Sequence, residues 1–297
     1  MSIEGPAENC GTGVMDLRIN LKTARHAPPA SRSSSLFMCN APMPRAAQTP
    51  DLRWIEADEH LPPAHLAWGA ESPAPGLLAA SHDLSAERLL AAYSEGIFPW
   101  FSPGQPVLWW SPDPRMVLHV ARFKFHRSLR QTLKRCLRQT GFSLTFDRDF
   151  SQVMRRCSAS PRPGQSGTWI VPAMVAAYED LHRAGYAHSA EVWQDGNLVA
   201  GLYFVALGHA VFGESMFSAV TDGSKMALAS LVSVCLQHGI KGIDCQQNTR
   251  HLASLGAQEI PRTDFLAQLK QARQKPPIAW AQQSLSWDAL TTLDSAA

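Results

Sequence analysis

The 297-residue chain has no CxxC pair and no cysteine–histidine pairing at metal-ligand spacing, so neither a zinc site nor any other metal is indicated. Its six cysteines (Cys10, Cys39, Cys136, Cys157, Cys235 and Cys245) are scattered and suggest no disulfide framework. Reduced thiols and a cytoplasmic location are the expectation. Long apolar runs are also missing. No stretch of about 18 uninterrupted apolar residues occurs, and the N-terminus lacks the apolar core of a secretory signal, which argues against a membrane partner. Charge of one sign is scarce: a formal net charge of +2 is too small to coat nucleic acid generically, so any RNA binding must come from a local basic patch. The remainder is ordinary globular composition, 45% hydrophobic and 18% charged, enough for one substantial core or two modest ones.

Residues 1–50 mix Pro, Ser, Ala and isolated charges with no sustained period. They read as a disordered extension, with a targeting arm or an over-long reading frame starting in truth at Met38 or Met43 as alternatives. Order is expected from Leu52 to Ile55. Ser85 to Glu95 reads as a helix capped by Ser85 and ended by Gly96. The segment IFPWFSPGQPVLWWSPDPR (Ile97 to Arg115) has five prolines and three tryptophans in 19 residues, which predicts a rigid connection rather than a long helix or central strand. It is equally a strap or a platform on which a base stacks. SLRQTLKRCLRQ (Ser128 to Gln139) sets Leu129, Leu133 and Leu137 on one helical face and Arg130, Lys134 and Arg138 on another. That basic face suits phosphate, but alone it reads better as a solvated surface. Pro172 opens a helix with Val175, Tyr178 and Leu181 inward and Gly185 as its stop. AEVWQDGNLVAGLYFVALGHAVFGESMF reads as antiparallel strands about an Asp195-Gly196 turn. A helix (Ser224 to His238), a short strand (Ile240 to Gln246) and a short helix ending at Gly256 complete an α+β pattern.

On the strand reading, Asp244 and Gln246 project from one face and Cys245 from the other. An isolated DxQ is more simply a salt bridge and a polar strand end. Glu214, flanked by Phe212, Met216 and Phe217, either faces outward or is buried with a partner; a buried acid among aromatics is a functional candidate.

Taken together, GIFPWFSPGQPVLWWSPDPR, TWI, AYEDLHRAGYAHSAEVW, FGESMFS, SKMAL, IDCQ and HLASLGAQEIPR, in that order between about Leu77 and Leu269, resemble the leucyl/phenylalanyl-tRNA–protein transferase family. The chain departs from the family pattern at Ala80, Ser81 and His82, where paired glycines are usual before the Asp, at Ala190, where Val is usual, and at Ala200 and Phe204, where glycines are common. The resemblance implies transfer of Leu, Phe or Met from aminoacyl-tRNA to proteins that begin with Arg or Lys, marking them for degradation. It also implies a small N-terminal domain (51–113), a GNAT-like acyltransferase domain (114–275) with a mostly antiparallel central sheet flanked by helices, and a C-terminal tail (276–297). The Q/R-x-x-G-x-G/A loop that cradles coenzyme A in the acetyl-transferring relatives of that fold is not found, so no cofactor is expected.

By the same resemblance, Asp244 and Gln246 look catalytic, Glu214 looks like the contact for the acceptor's cationic residue, and Leu202, Met216, Leu231 and Ile243 look like the donor side-chain pocket. Strand alternation sends Ile243 away from Asp244, which weakens its place there. Trp100 and Trp169 resemble contacts to the tRNA's terminal adenosine, and Arg127, Arg130, Lys134 and Arg135 resemble contacts to acceptor-stem phosphates. An activated ester donor needs only an oriented amine and one managed proton. Three routes stay open: Gln246 binding the amine with Asp244 polarising it, deprotonation by Asp244 through Gln246, or a ribose hydroxyl as shuttle. The rivals are another aminoacyl-tRNA-dependent peptidyl transferase and a non-catalytic tRNA-binding protein. A monomer is the default expectation.

Overall fold

The structure is a computed structural model and describes residues 51–160 and 170–293. The expectations for residues 1–50 and for Trp169 fall outside the described residues. Two mixed sheets and eight α-helices are found among them.

The first sheet holds β1 (Arg53–Ile55), β2 (Leu77–Ser81), β3 (Phe98–Pro99) and β4 (Val107–Trp110) in the order β1-β2-β4-β3. Between β2 and β3 runs α1 (Ala86–Ser94), whose Ser85 Oγ accepts the Arg88 N–H at 3.2 Å. Gly96 has φ +73°, a left-handed conformation that favours glycine, and a Cβ there would also push on Leu266 Cδ2 at 2.6 Å. The tryptophan-rich segment corrects the sequence expectation, because β4 is an interior strand paired to both β2 and β3. Pro103, Pro106, Pro112 and Pro114 flank Val107–Trp110 without interrupting it, and four proline-free residues suffice for a short ladder.

The second sheet has the order β11-β5-β10-β9-β8-β7-β6. It is built from β5 (Arg115–His119), then, after α2 (Arg127–Cys136), β6 (Phe142–Phe146). Helices α3 (Phe150–Ala159) and α4 (Pro172–Arg183) follow, then β7 (Ala187–Gln194), β8 (Asn197–Leu207) and β9 (Ala210–Ser218). The chain continues through α5 (Gly223–Gln237), β10 (Gly242–Asp244), α6 (Arg250–Ser254), β11 (Gln258–Ile260), α7 (Arg262–Ala272) and α8 (Trp287–Thr291). Asp195 and Gly196, both with positive φ, make the β7–β8 turn as expected. In this sheet β10 lies parallel to β9, and the other pairings are antiparallel.

Helix α5 is apolar nearly all round and buried from Met226 to Cys235, where it covers one face of the large sheet. In α2, Leu129 and Leu133 are buried but Leu137 is 42% exposed: the helix ends at Cys136, so the expected third leucine of the stripe falls past the last turn. In α4 the inward positions are Met174, Ala177, Tyr178 and Leu181, with Val175 only partly covered.

The unusual residues of the chain have local explanations. Ala80 and Ser81 lie in β2 with ordinary extended backbone, where no glycine is required. Ser81 Oγ accepts Trp109 Nε1–H at 2.9 Å, and His82 packs edge-on to Trp54. Phe204 is buried against Trp280 and His188, with ring centroids 4.7 and 5.6 Å away.

Candidate active site

The site forms where β9 and β10 part. Their parallel pairing links Ile243 to Val211 and Asp244 to Phe212, and stops there. Just beyond, β9 carries an extra residue: Gly213 pairs with Phe204 and Ser215 with Tyr203, which leaves Glu214 as the inserted position of a β-bulge. A bulge re-aims a side chain that strict alternation would send elsewhere. Here it turns the Glu214 carboxylate toward Tyr178 and Gln246. Tyr178 Oη donates to Glu214 Oε2 at 3.3 Å, and Gln246 Nε2 donates to Glu214 Oε1 at 3.2 Å. Behind them the buried hydroxyls of Tyr93 (α1) and Tyr178 (α4) are hydrogen-bonded at 2.5 Å.

Gln246 is not part of a strand. β10 ends at Asp244, two residues short of the expected Gln246, and Gln246 adopts φ +57°, so alternation does not apply across the pair. A non-glycine residue there is strained by roughly 1–3 kcal/mol and needs support. Three backbone contacts supply it: Gln246 N–H to Asp244 Oδ1 at 3.0 Å, Met116 N–H to Gln246 O at 3.2 Å, and Cys245 N–H to Met116 O at 2.8 Å. The first is an Asx turn, in which the carboxylate two residues back sets the backbone.

Asp244 is only 3% exposed, and its oxygens are taken by protein. Arg115, fully buried, grips it with two bonds, Nε to Oδ1 at 2.8 Å and Nη2 to Oδ2 at 2.6 Å. Arg115 also donates from Nη1 to Gly96 O at 3.0 Å, and its guanidinium lies 4.9 and 4.5 Å from the ring centroids of Phe98 and Phe265. A chain of contacts therefore runs from the proline-rich segment through Arg115 and Asp244 to the Gln246 backbone.

Burial shapes the electrostatics of Glu214. Part of Glu214 reaches the gap, yet protein packed round its carboxyl desolvates it, and burial together with the nearby Asp244 charge pushes its pKa up to about 8 despite hydrogen bonds from the tyrosines. Tyr93 and Tyr178 are held well above the usual phenol range by burial and by the Glu214 charge. The Cys245 thiol is pushed up to about 12, mainly by burial, which leaves it un-ionised and unreactive at neutral pH.

Leu202 and Met216 are cross-strand neighbours, and Leu231 from α5 and Ile243 belong to the same apolar cluster. Leu202, Leu231 and Ile243 are buried; Met216 is half-buried at the margin. Ile243 and Asp244 do face opposite ways, one into the α5 cluster and the other to Arg115. A separate cavity of about 470 Å³ opens under α7, lined by Val117, Phe212, Lys241, Phe265 and Leu269 among others. Of the residues singled out from the sequence it touches Asp244 but not Glu214 or Gln246, so its size does not make it the reaction site.

Trp109 and Trp110 are buried in the first sheet, while Trp100 is half-buried with its ring 5.4 Å from that of Trp110. On α2, Arg127, Lys134 and Arg135 are exposed and Arg130 is half-buried with its guanidinium 5.2 Å from the Phe125 ring. One grouping invisible in sequence spacing is Asp147, His182 and His188, which offer ligand atoms within 4.8 Å of one another. Their hydrogen bonds account for them: His188 Nδ1 meets Asp147 Oδ2 at 2.7 Å, which ties the end of β6 to β7, and His182 Nδ1 meets Ala187 O at 2.7 Å, which ties α4 to β7. Glu191 is buried and fully engaged by Thr145, the Asp149 N–H, Ser189 and Trp193, so this motif acid belongs to the scaffold.

Sequence reasoning did not single out Arg115 or Tyr93, and it read Tyr178 only as an inward residue of its helix. Arg115 closes the WWSPDPR run, and an arginine next to so apolar a stretch signals a buried, paired charge.

The Leucyl/phenylalanyl-tRNA protein transferase family model matches residues 117–270, and the model of that family's N-terminal domain matches residues 82–113. A leucyl/phenylalanyl-tRNA–protein transferase of a Polaromonas species is 57% identical over 241 residues, covering 81% of this chain and 94% of the relative. One from Albidiferax ferrireducens is 53% identical over 250 residues, covering 84% of this chain and 98% of the relative. These matches span both sheets and every residue of the Arg115–Asp244–Gln246–Glu214 chain, and the chain belongs to the leucyl/phenylalanyl-tRNA–protein transferase family.

Proposed function

We propose that this protein transfers leucine, phenylalanine or methionine from aminoacyl-tRNA to the α-amine of proteins that begin with arginine or lysine, marking them for degradation. The observation that carries the reading is the Gln246–Glu214 contact in the gap between β9 and β10. Attack by the amine forms an amide bond to the donor's carbonyl carbon and breaks the ester bond to the ribose. The amine loses a proton and the ribose oxygen gains one. With its Nε2 committed to Glu214, the Gln246 carboxamide oxygen is free to accept a hydrogen bond from the attacking amine and hold it in line. Asp244 has no free face, so it is a positioning residue that fixes Gln246, and the donor's own ribose hydroxyl is the better proton shuttle.

Glu214 receives the acceptor's cationic side chain. The incoming charge replaces the solvation that burial removed and ionises the carboxyl as it binds. Tyr178, backed by Tyr93, holds the carboxylate in place. Leu202, Leu231 and Ile243 form the wall of the donor side-chain pocket, and half-buried Met216 is its adaptable edge. Trp100 and Trp169 stack on the terminal adenosine, and α2 contacts acceptor-stem phosphates. We read the large sheet with its parting β9 and β10 as a GNAT-like frame and the working unit as a monomer in the cytoplasm; no helix among the described residues is long and apolar enough to cross a membrane.

The test is direct. Labelled Leu-tRNA is mixed with the purified protein and peptides starting with Arg, Lys or Ala. Labelling of the first two alone is the expected result. Labelling of all three would overturn the acceptor assignment, and labelling of none the transfer itself.

A further inference from the structure

The last described residues, 273–293, lie beyond the family match, which ends at residue 270, yet they are packed against the body. Trp280 is buried among Phe146, His188 and Phe204, and the Ser286 N–H donates to Ser233 Oγ of α5 at 3.2 Å. Leu290 of α8 is completely buried in the α5 cluster. Apolar burial and a helix cap, in which the Ala289 N–H donates to Ser286 Oγ, explain why a segment with so little period of its own holds one place.

That docking carries one side chain onto the basic helix. The Trp287 ring stands 5.9 Å from Phe125, nearly edge-on, and Lys134 Nζ lies 4.9 Å over the Trp287 ring. Phe125 in turn lies under the Arg130 guanidinium at 5.2 Å. Arg130 and Lys134 are one helical turn apart, so the aromatic pair forms a floor under two adjacent cations. A carboxylate would hold a lysine equally well but would cancel its charge. A ring face attracts the ammonium while leaving its three N–H donors and its charge for an incoming anion.

We propose that residues 276–293 are a positioning strap for RNA binding, in which Trp287, seated against Phe125, pre-orders Lys134 toward a phosphate of the tRNA acceptor stem. The proposal rests on reading α2 as the phosphate-binding helix. Holding a flexible lysine in its bound direction lowers the ordering cost at binding, so the benefit falls on donor affinity and not on the chemical step.

The experiment measures transfer with two donors, full-length Leu-tRNA and leucyl-adenosine, for the parent, Trp287→Ala, Trp287→Phe, Lys134→Ala and the Trp287→Ala/Lys134→Ala pair. Trp287→Ala is expected to raise KM for full-length Leu-tRNA about two- to fivefold with kcat unchanged, the range a partly exposed cation–π contact supports. Leucyl-adenosine kinetics should not change, Trp287→Phe should recover most of the loss, and the pair should be little worse than Lys134→Ala. Lys134→Ala should also lower the slope of log affinity against log salt by about one. If Lys134→Ala weakens Leu-tRNA and Trp287→Ala does not, the strap is refuted while the phosphate reading of α2 stands. If Lys134→Ala changes neither KM nor the salt slope, the phosphate reading itself fails and the strap with it. A fall in kcat with both donors for Trp287→Ala would mark a general structural role and overturn the proposal.

Discussion

Removing the Asp244 carboxylate separates its two duties, holding Arg115 and holding Gln246. In Asp244→Ala the Arg115 guanidinium stays fully buried with one hydrogen bond, to Gly96 O, and no counter-charge. Stranding one member of a buried ion pair costs about 3–5 kcal/mol. For a protein of this size that lowers Tm by roughly 6–20 °C. The double variant Arg115→Met/Asp244→Leu removes both charges and keeps the volume apolar, so its stability should return to within about 2 kcal/mol of the parent. Activity should not return with it. Gln246 N–H has then lost its acceptor, and the left-handed turn that aims the carboxamide is no longer held, so transfer should stay at least tenfold down, about 1.4 kcal/mol or more in transition-state free energy. Asp244→Asn, whose amide oxygen still accepts the Gln246 N–H, should keep more activity than Asp244→Ala. Urea unfolding and transfer rates on the same preparations read both quantities. A stable double variant with parental activity would show that Gln246 does not depend on Asp244, and the positioning argument would be wrong.

Stability should also depend on Glu214. Its carboxyl titrates near 8 in the folded protein and near 4.5 when free, so between these values the native state holds a proton the unfolded chain has lost. Its contribution to stability is thus complete below about pH 4.5 and disappears as pH rises through 8; urea midpoints from pH 5 to 8.5 should show this fall in the parent and lack it in Glu214→Gln, and identical profiles would refute the assignment. Reversing the charge in Glu214→Lys should raise the KM for an Arg-starting peptide first, with donor KM little changed; an unaltered acceptor KM would remove Glu214 from acceptor binding. Trp100→Ala should raise the KM for Leu-tRNA at least about fivefold, since base stacking is worth about 1–3 kcal/mol, and unchanged donor kinetics would sink that role. Gly223→Ala should destabilise by about 1–3 kcal/mol, because the new Cβ would meet Ser218 Oγ at 2.5 Å and Ala200 Cβ at 2.6 Å; a neutral melt would show that the start of α5 yields.

Elements governed by local rules were legible in the sequence. Ser85 caps α1, Pro172 opens α4, Asp195-Gly196 turns the hairpin, and Gly256 follows α6, each through a backbone preference that acts within a few residues. Val107–Trp110 was misjudged because proline density was averaged over 19 residues, whereas a ladder depends on which individual N–H groups are present. The candidate site shows a deeper limit. Period-two alternation placed Asp244 and Gln246 side by side, and the two do touch, but through a carboxylate-to-backbone bond in a left-handed turn that no alternation rule contains. Glu214 joins them through a residue inserted opposite Tyr203 and Phe204, and whether a strand carries such an insertion is decided by its partner strand. Arg115 lies 129 residues from Asp244, and only the fold brings its fork onto that carboxylate. What the sequence does record is one marker of each device: a glycine before Glu214, an arginine leading into the apolar Met116-Val117-Leu118, and an Asp two residues ahead of a glutamine. The three come together only at the point where β9 and β10 separate. That meeting of a bulge-aimed acid, a buried ion pair and a supported left-handed turn in one gap is the physical reason for seeking the chemistry there and not in the cavity under α7.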